Sequence, residues 1–291
     1  MNIQIIQDRI KALSPRSKQE EENVIKQIYQ EIALYSLSRA GYFRLAAFQG
    51  GTCLRLVYGM PRFSEDLDFI LIHPDTTFVW EPFLKHMTEA FALYSIPLEA
   101  IDRSKTSATV QRAFLKQESF GKVLQLGYPR GKEERQNITI RLEVDTNPPA
   151  GSGFSTHYLD FPLPYSLVSQ DKPSLFASKC HALLCRDYVK GRDWYDFIWY
   201  VATKTPVNLG HLKTAMIQTN DWTGPIEEPF TGTKLLSLLN DRVESIDWKS
   251  AAEDVANYLG PQDKELLAAW SRDLFAAYID KLATYIAPQS L

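Results

Sequence analysis

Two aspartates separated by one leucine, Asp66-Leu67-Asp68, open the apolar run Phe69-Ile70-Leu71-Ile72. The segment reads as the entry to a β-strand, in which residues two apart share a face about 6.5–7 Å apart along the chain. Both carboxylates then point one way while Leu67 and Phe69 point into a core. Like charges held that close repel, and a divalent cation such as Mg2+, taking oxygen ligands from both, removes the conflict. Upstream, the short apolar run Leu45 to Phe48 ends at Gly50-Gly51-Thr52. The glycines allow a tight turn with bare amides, and Thr52 is placed to cap a short helix. The unpaired amides and dipole of a helix N-terminus favour an anion. An anion cradle one short helix before paired carboxylates suits a metal-bound triphosphate.

The elements that must position these groups follow from the residues between them. The helix after Thr52 carries Leu54, Leu56 and Val57 toward a core and leaves Arg55 near the turn, until Gly59 and Pro61 stop it. Arg62-Phe63-Ser64-Glu65 then leads into the aspartates. The order Gly-Gly, gap, aspartate pair resembles the polymerase-β-like nucleotidyltransferases. The longer stretch GGTCLRLVYGMPRFSEDLDF, residues 50–69, resembles the nucleotidyltransferase toxins of the AbiEii/AbiGii group, whose pattern is GGTxLRxxYxxxRxSxDxD.

That resemblance implies an enzyme that moves a nucleoside monophosphate from an NTP to an acceptor with Mg2+. Asp66 and Asp68 would hold the metal, Gly50, Gly51 and Thr52 the triphosphate, and Arg55, Arg62, Ser64 or Lys179 would steady phosphate charge. It further implies RNA as acceptor, tRNA favoured, growth arrest or abortive infection as the effect, and an antitoxin encoded nearby. A protein or small-molecule acceptor, or a regulator that binds nucleotide without transfer, is the alternative.

Such enzymes complete the metal site with a third carboxylate on a strand beside the aspartate pair. Ile138, Ile140, Leu142 and Val144 alternate with Thr139, Arg141, Glu143 and Asp145, giving a strand with one apolar and one charged face. Glu143, flanked by apolar residues, is the first candidate. Asp145 is the second, because it lies nearer Asn147-Pro148-Pro149, where the strand must end. The plain alternative is a salt bridge from Arg141 to either acid.

Composition bounds the rest. The 291 residues are 45% hydrophobic and 23% charged with a formal charge of −3, enough for one large domain or two modest ones and without the basic excess of a general nucleic-acid binder. Cys53, Cys180 and Cys185 form an odd set without CxxC spacing, which argues against a disulfide framework or structural zinc and fits a reduced cytoplasm. No apolar run approaches the roughly 20 residues of a membrane span, and no signal-like start is present.

Along the chain, a first helix stopped by Ser14-Pro15 precedes an amphipathic helix over Lys18 to Arg39, with Val24, Ile28, Ile32 and Tyr35 at helical spacing. After the motif we expect a helix over Pro82 to Tyr94 and strands over Pro97 to Ile101, Val123 to Tyr128 and Asn137 to Thr146. Gly151 to Pro164 reads as a last strand or loop. The fold class is α+β: a nucleotidyltransferase-like mixed-sheet domain over residues 1–165, then a mostly helical half over 166–291 that contributes to the active site, with breaks at Gly191, Pro206 to Gly210, Trp222 to Gly232 and Gly260-Pro261 and an amphipathic helix over Lys264 to Ile286.

That half opens with Pro173, placed to start a helix, and Lys179 and Arg186, seven apart and so near one helical face. A lysine among Phe176, Ala177, Ala182 and Leu183 needs an anionic partner, and an incoming phosphate is the partner expected. The run through Gly191-Arg192-Asp193-Trp194-Tyr195-Asp196 is similar to the AbiEii-type AKxxAxxxR…RDxxD pattern, with Ala177-Ser178-Lys179 for the usual Ala-Glu-Lys. By that resemblance Lys179 and a following aspartate are functional. The aspartate is Asp193 or Asp196, since Asp193 is also placed to cap a helix beginning at Trp194. His73, His86, His157, His181 and His211 lack metal-ligand spacing, and Trp194, Tyr195, Trp199 and Tyr200 read as helix core.

Overall fold

The computed structural model describes residues 4–96, 98–102, 119–130 and 134–286, with residues 98–102, 119–130 and 134–139 described by their backbone alone. The chain divides into two compact units, Met1–Pro148 with Phe154–Ser169, and Pro149–Gly153 with Gln170–Leu291. The expected boundary near Tyr165 falls at the start of a further strand.

The first unit begins with α1 (Gln4–Leu13) and α2 (Lys18–Arg39). Ser17 caps α2, its Oγ accepting from Glu20 N at 3.1 Å, and the Glu20 carboxylate returns to Arg16 N at 2.6 Å, so the acidic run closes the N-terminal turn. Val24, Ile28 and Ile32 lie in the core. The same helix also buries Asn23, Gln27, Gln30 and Glu31, polar groups that need partners inside the unit.

β1 (Ala46–Gln49) runs straight into α3 (Gly50–Tyr58), and β2 (Leu67–Leu71) follows. Next come α4 (Glu81–Ala92), β3 (Leu98–Asp102), β4 (Ser119–Arg130), β5 (Glu134–Asp145), β6 (Phe154–Leu159) and β7 (Tyr165–Gln170). The seven strands form one sheet in the order β3-β4-β5-β2-β1-β7-β6. β2 is antiparallel to β1 and parallel to β5, β1 is parallel to β7, and β3, β4 and β5 form an antiparallel meander. A mixed sheet with helices outside any βαβ repeat is the α+β class expected. β4 and β5 are longer than anticipated, and β7 was expected as helix.

β2 is buried at every position but Asp68. Phe69, 1% exposed, packs edge-on against Tyr42 at 5.0 Å between ring centroids, and Tyr42 stacks on Trp80 at 5.4 Å. Removing a Phe from water contributes about 1.5–3 kcal/mol, and here it fixes the neighbouring Asp68 on the opposite face.

The second unit contains α5 (Lys172–Cys185), α6 (Gly191–Ala202), α7 (Leu209–Gln218), α8 (Gly232–Val243), α9 (Trp248–Ala256), the short α10 (Pro261–Glu265) and α11 (Arg272–Ala283). Gly191, the first residue of α6, has no room for a side chain, since a Cβ there would lie 1.7 Å from Ala251 O. Trp194, Trp248 and Phe275 form the core, Trp248 and Phe275 stacked at 3.9 Å. The single helix expected over Lys264 to Ile286 is instead broken: Trp270 turns extended, and Ser271 caps a new helix by accepting from Leu274 N at 3.3 Å.

Candidate functional site

The backbone at the β1–α3 junction is shaped by glycine. Gly50 has φ +77°, and a Cβ built on it would lie 2.3 Å from Asp68 Oδ2. Only a glycine lets the Asp68 carboxylate rest against the start of α3. A Cβ on Gly51 would lie 2.6 Å from Arg62 Nη2 and 2.9 Å from Ser64 Oγ, so those side chains close over the same turn. Arg62 is buried, and its Nη1 donates to Phe63 O at 3.0 Å. Two amides at a helix N-terminus, a guanidinium and a hydroxyl thus converge beside Asp68, as an anion cradle requires.

Thr52 is not the cap. α3 begins at Gly50 with Gln49 in the N-cap position, and the buried Thr52 donates its hydroxyl to Asp66 O at 2.5 Å. It holds the segment that carries Asp66 against α3. The end of α3 is as read from sequence: Gly59, φ +77°, caps it with its N–H on Leu54 O. Leu54 is buried, while Leu56 and Val57 are only half-buried.

Arg55 turns toward α2. Its Nε donates to Gln27 Oε1 at 2.6 Å, its Nη1 donates to Pro61 O, and the guanidinium lies 3.7 Å from the centroid of Phe63. These contacts assign it to bracing the Pro61–Phe63 turn. The same helix reaches that turn twice more, through Lys26 Nζ to Glu65 Oε1 at 2.7 Å and Gln30 Nε2 to Ser64 O at 3.1 Å. The polar positions of α2 that gave no chemistry in the sequence therefore position the loop bearing Arg62, Ser64 and Asp66. Their signal was polarity at positions the helical period otherwise buries.

Asp66 lies just before β2 and Asp68 within it. β5 lies parallel beside β2 in a register that sets Asp68 opposite Glu143 and Ile70 opposite Asp145. Asp68 and Glu143 thus share one level of the sheet, while Asp145 lies one step farther and accepts from Asn147 N at 2.9 Å as the chain turns away. Arg141 stands on the same face, Nη1 3.5 Å from Asp66 Oδ2 and Nε 3.7 Å from Glu143 Oε1. The salt bridge given as the plain alternative is present from Arg141 to Glu143, and the same guanidinium also reaches Asp66, which was not anticipated. All three groups keep partial contact with solvent, at 43% exposure for Arg141, 34% for Asp66 and 29% for Glu143. A guanidinium between carboxylates marks where the protein places positive charge, and a hard divalent cation with oxygen ligands meets the same requirement. Asp68 faces Glu143 in the register and Asp66 reaches the same arginine, so these are the carboxylates such an ion would draw on.

In the second unit Lys179 has its anion. Its Nζ lies 2.7 Å from Asp193 Oδ1 and 2.8 Å from Asp196 Oδ2, and Arg186 Nη1 also pairs with Asp193. Where sequence leads one to expect a phosphate, α6 supplies two carboxylates, three residues apart on one face. Both candidate aspartates therefore belong to this cluster. Asp193 does not cap a helix at Trp194, since α6 starts at Gly191 and Asp193 lies in its first turn. Burial pushes the Asp193 carboxyl up, but Lys179 and Arg186 outweigh it and hold it at about 2.

Among known proteins, the family described as nucleotidyl transferase AbiEii toxin, type IV TA system, matches residues 32–277. A crystal structure of a candidate nucleotidyltransferase from H. pylori is similar at 16% identity and TM-score 0.47, with 87% of this chain and 96% of that chain covered. JHP933 from Helicobacter pylori is similar at 15% identity and TM-score 0.43, with 87% of each chain covered. No curated protein matches the sequence.

Proposed function

Since the chain belongs to the AbiEii family of nucleotidyltransferase toxins, we propose that its first unit transfers a nucleoside monophosphate from an NTP to RNA, tRNA favoured, with Mg2+. The observation that carries this reading is the pairing of Asp68 with Glu143 across β2 and β5 beside the Gly50–Gly51 turn.

When bound, the cation supplies neutralisation of phosphate charge and acidification of an attacking hydroxyl. Asp66 and Asp68 would hold it, and Glu143 would add the further acid that hydroxyl activation calls for. The Gly50 and Gly51 amides receive the phosphates at the positive end of α3, with Ser64 donating and the Arg62 guanidinium adding positive charge. Thr52 keeps Asp66 in register with them through its bond to the Asp66 carbonyl. Arg141 neutralises Asp66 and Glu143 before substrate arrives. Phosphoryl-type transfer needs this positioning and charge compensation rather than a covalent residue.

Lys179 with Asp193 and Asp196 is proposed as the second functional group of residues, a buried ion cluster whose contribution to transfer is read by separating folding from rate. The protein is proposed to act in the cytoplasm and to be checked by an antitoxin encoded beside it; no described helix is long and apolar enough to cross a membrane.

Incubation of the chain with each α-labelled NTP, Mg2+ and total RNA tests the proposal. Label in the tRNA band supports it; label only in protein or a small molecule moves the acceptor to the alternative class, and nucleotide binding without label in any fraction supports a regulator.

A further inference from the structure

The second unit holds a cluster that transfer does not use. His181 and Cys185 are four apart on α5 and so share one helical face. Asp221 faces them from the turn after α7, and one ligand atom from each of the three lies within 4.8 Å of the others. The His181 Nε2 to Asp221 Oδ2 edge is 3.8 Å. Tetrahedral zinc with bonds of about 2.0–2.3 Å has ligand-to-ligand edges of roughly 3.3–3.8 Å, so one edge has that length and the others close by about an ångström of side-chain rotation. We infer that His181, Cys185 and Asp221 form a site for a borderline-soft divalent cation of the zinc class.

Four features support a cation here. A thiolate, a carboxylate and a neutral imidazole sum to two negative charges, which a divalent ion cancels. The ligand set mixes sulfur, nitrogen and oxygen, which suits zinc and disfavours magnesium. Asp221 is held at the C-terminal, negative end of α7: its N–H donates to Met216 O at 2.8 Å after Asn220 takes φ +62°, and the next amide, Trp222 N, bonds the same carbonyl at 3.1 Å. Last, Cys185 and Asp221 line a cavity with Met216, Asp241 and Ser245 on its other walls, room for a water or a fourth oxygen ligand. Arg242 lines it too, but its guanidinium is directed to the carbonyls of Leu183 at 3.2 Å and Arg186 at 2.8 Å.

Thr219 keeps the ligands together without metal. Its Oγ1 lies 3.0 Å from His181 Nε2 and donates to Asp221 Oδ2, with Ala215 O 3.2 Å away as a second acceptor. On binding, the Cys185 thiol proton leaves as the metal–sulfur bond forms. The histidines lacked His-to-His ligand spacing in the sequence; the His-to-Cys spacing of four was the signal passed over.

Cobalt reports the site directly. The full-length chain, stripped with chelator, is titrated with Co2+ and then Zn2+ while the thiolate-to-cobalt charge-transfer band is followed. One equivalent with that band, displaced by Zn2+, is expected in the parent and in Asp66→Ala, whose altered site offers no sulfur. Cys185→Ser loses the band, and Asp221→Asn, a change at a partly exposed position, weakens Co2+ about tenfold to a hundredfold while circular dichroism stays as in the parent. Cys53 and Cys180 are fully buried, so a band surviving in Cys185→Ser would overturn the site. Absence of the band from the folded parent would do the same.

Discussion

Gly50 and Gly59 share φ +77° but differ in surroundings: a Cβ on Gly50 meets Asp68 Oδ2 at 2.3 Å, and a Cβ on Gly59 meets nothing within 4 Å. The pair therefore separates backbone strain from displacement of the carboxylate. Left-handed backbone costs a non-glycine residue about 1–2 kcal/mol, so Gly59→Ala should lower the melting temperature by roughly 2–8 °C and leave transfer per folded molecule intact. Gly50→Ala carries the same strain and must also move Asp68 Oδ2 by about 1 Å to reach ordinary contact, a displacement that typically costs on the order of a hundredfold in rate. Thermal melts beside single-turnover label transfer measure the two effects. If both variants transferred at one rate, Asp68 would not be positioned by Gly50 and the proposed seating of the carboxylate would be wrong.

Three further outcomes are expected. Glu143→Gln should lower the rate by orders of magnitude with little loss of affinity for a non-hydrolysable NTP in calorimetry, while Asp145→Asn, one level away in the register, does much less; the reverse order would exchange their roles. Arg141→Gln removes two part-exposed ion pairs of about 0.2–1 kcal/mol each, so Mn2+ should bind the nucleotide-free protein about two- to thirtyfold tighter, and unchanged binding would remove Arg141 from the carboxylates. Asp193 has a folded pKa of about 2 against an ordinary 3.8; a depressed carboxyl contributes stability that is present above the ordinary value and lost as pH falls through the folded one. An acid unfolding step between about pH 4 and 2, of order 2 kcal/mol, should be seen by circular dichroism and be absent from Asp193→Asn, which starts less stable.

Local signals were legible and long-range partners were not. Helix α2 has the bounds read from its apolar spacing, because that stripe is written within the helix itself. The Gly-Gly turn and the aspartate pair were legible for the same reason. Alternation placed Glu143 and Asp145 on one face of β5, yet only strand pairing decides which stands opposite Asp68. The Arg55–Gln27 contact spans 28 residues and the two aspartates on Lys179 come from the next helix, so neither partner is written locally. The α11 break was hidden since the apolar period continues across Ser271, where a cap overrides it.

The central claim is that Asp66 and Asp68 make this chain a metal-dependent transferase. Label transfer from the correct α-labelled NTP, measured at saturating Mg2+ in the parent, Asp66→Ala and Asp68→Ala, tests it most directly. Both variants should fold, since removing one of two like charges relieves repulsion, and neither should transfer label. Near-parent transfer by either folded variant would contradict it.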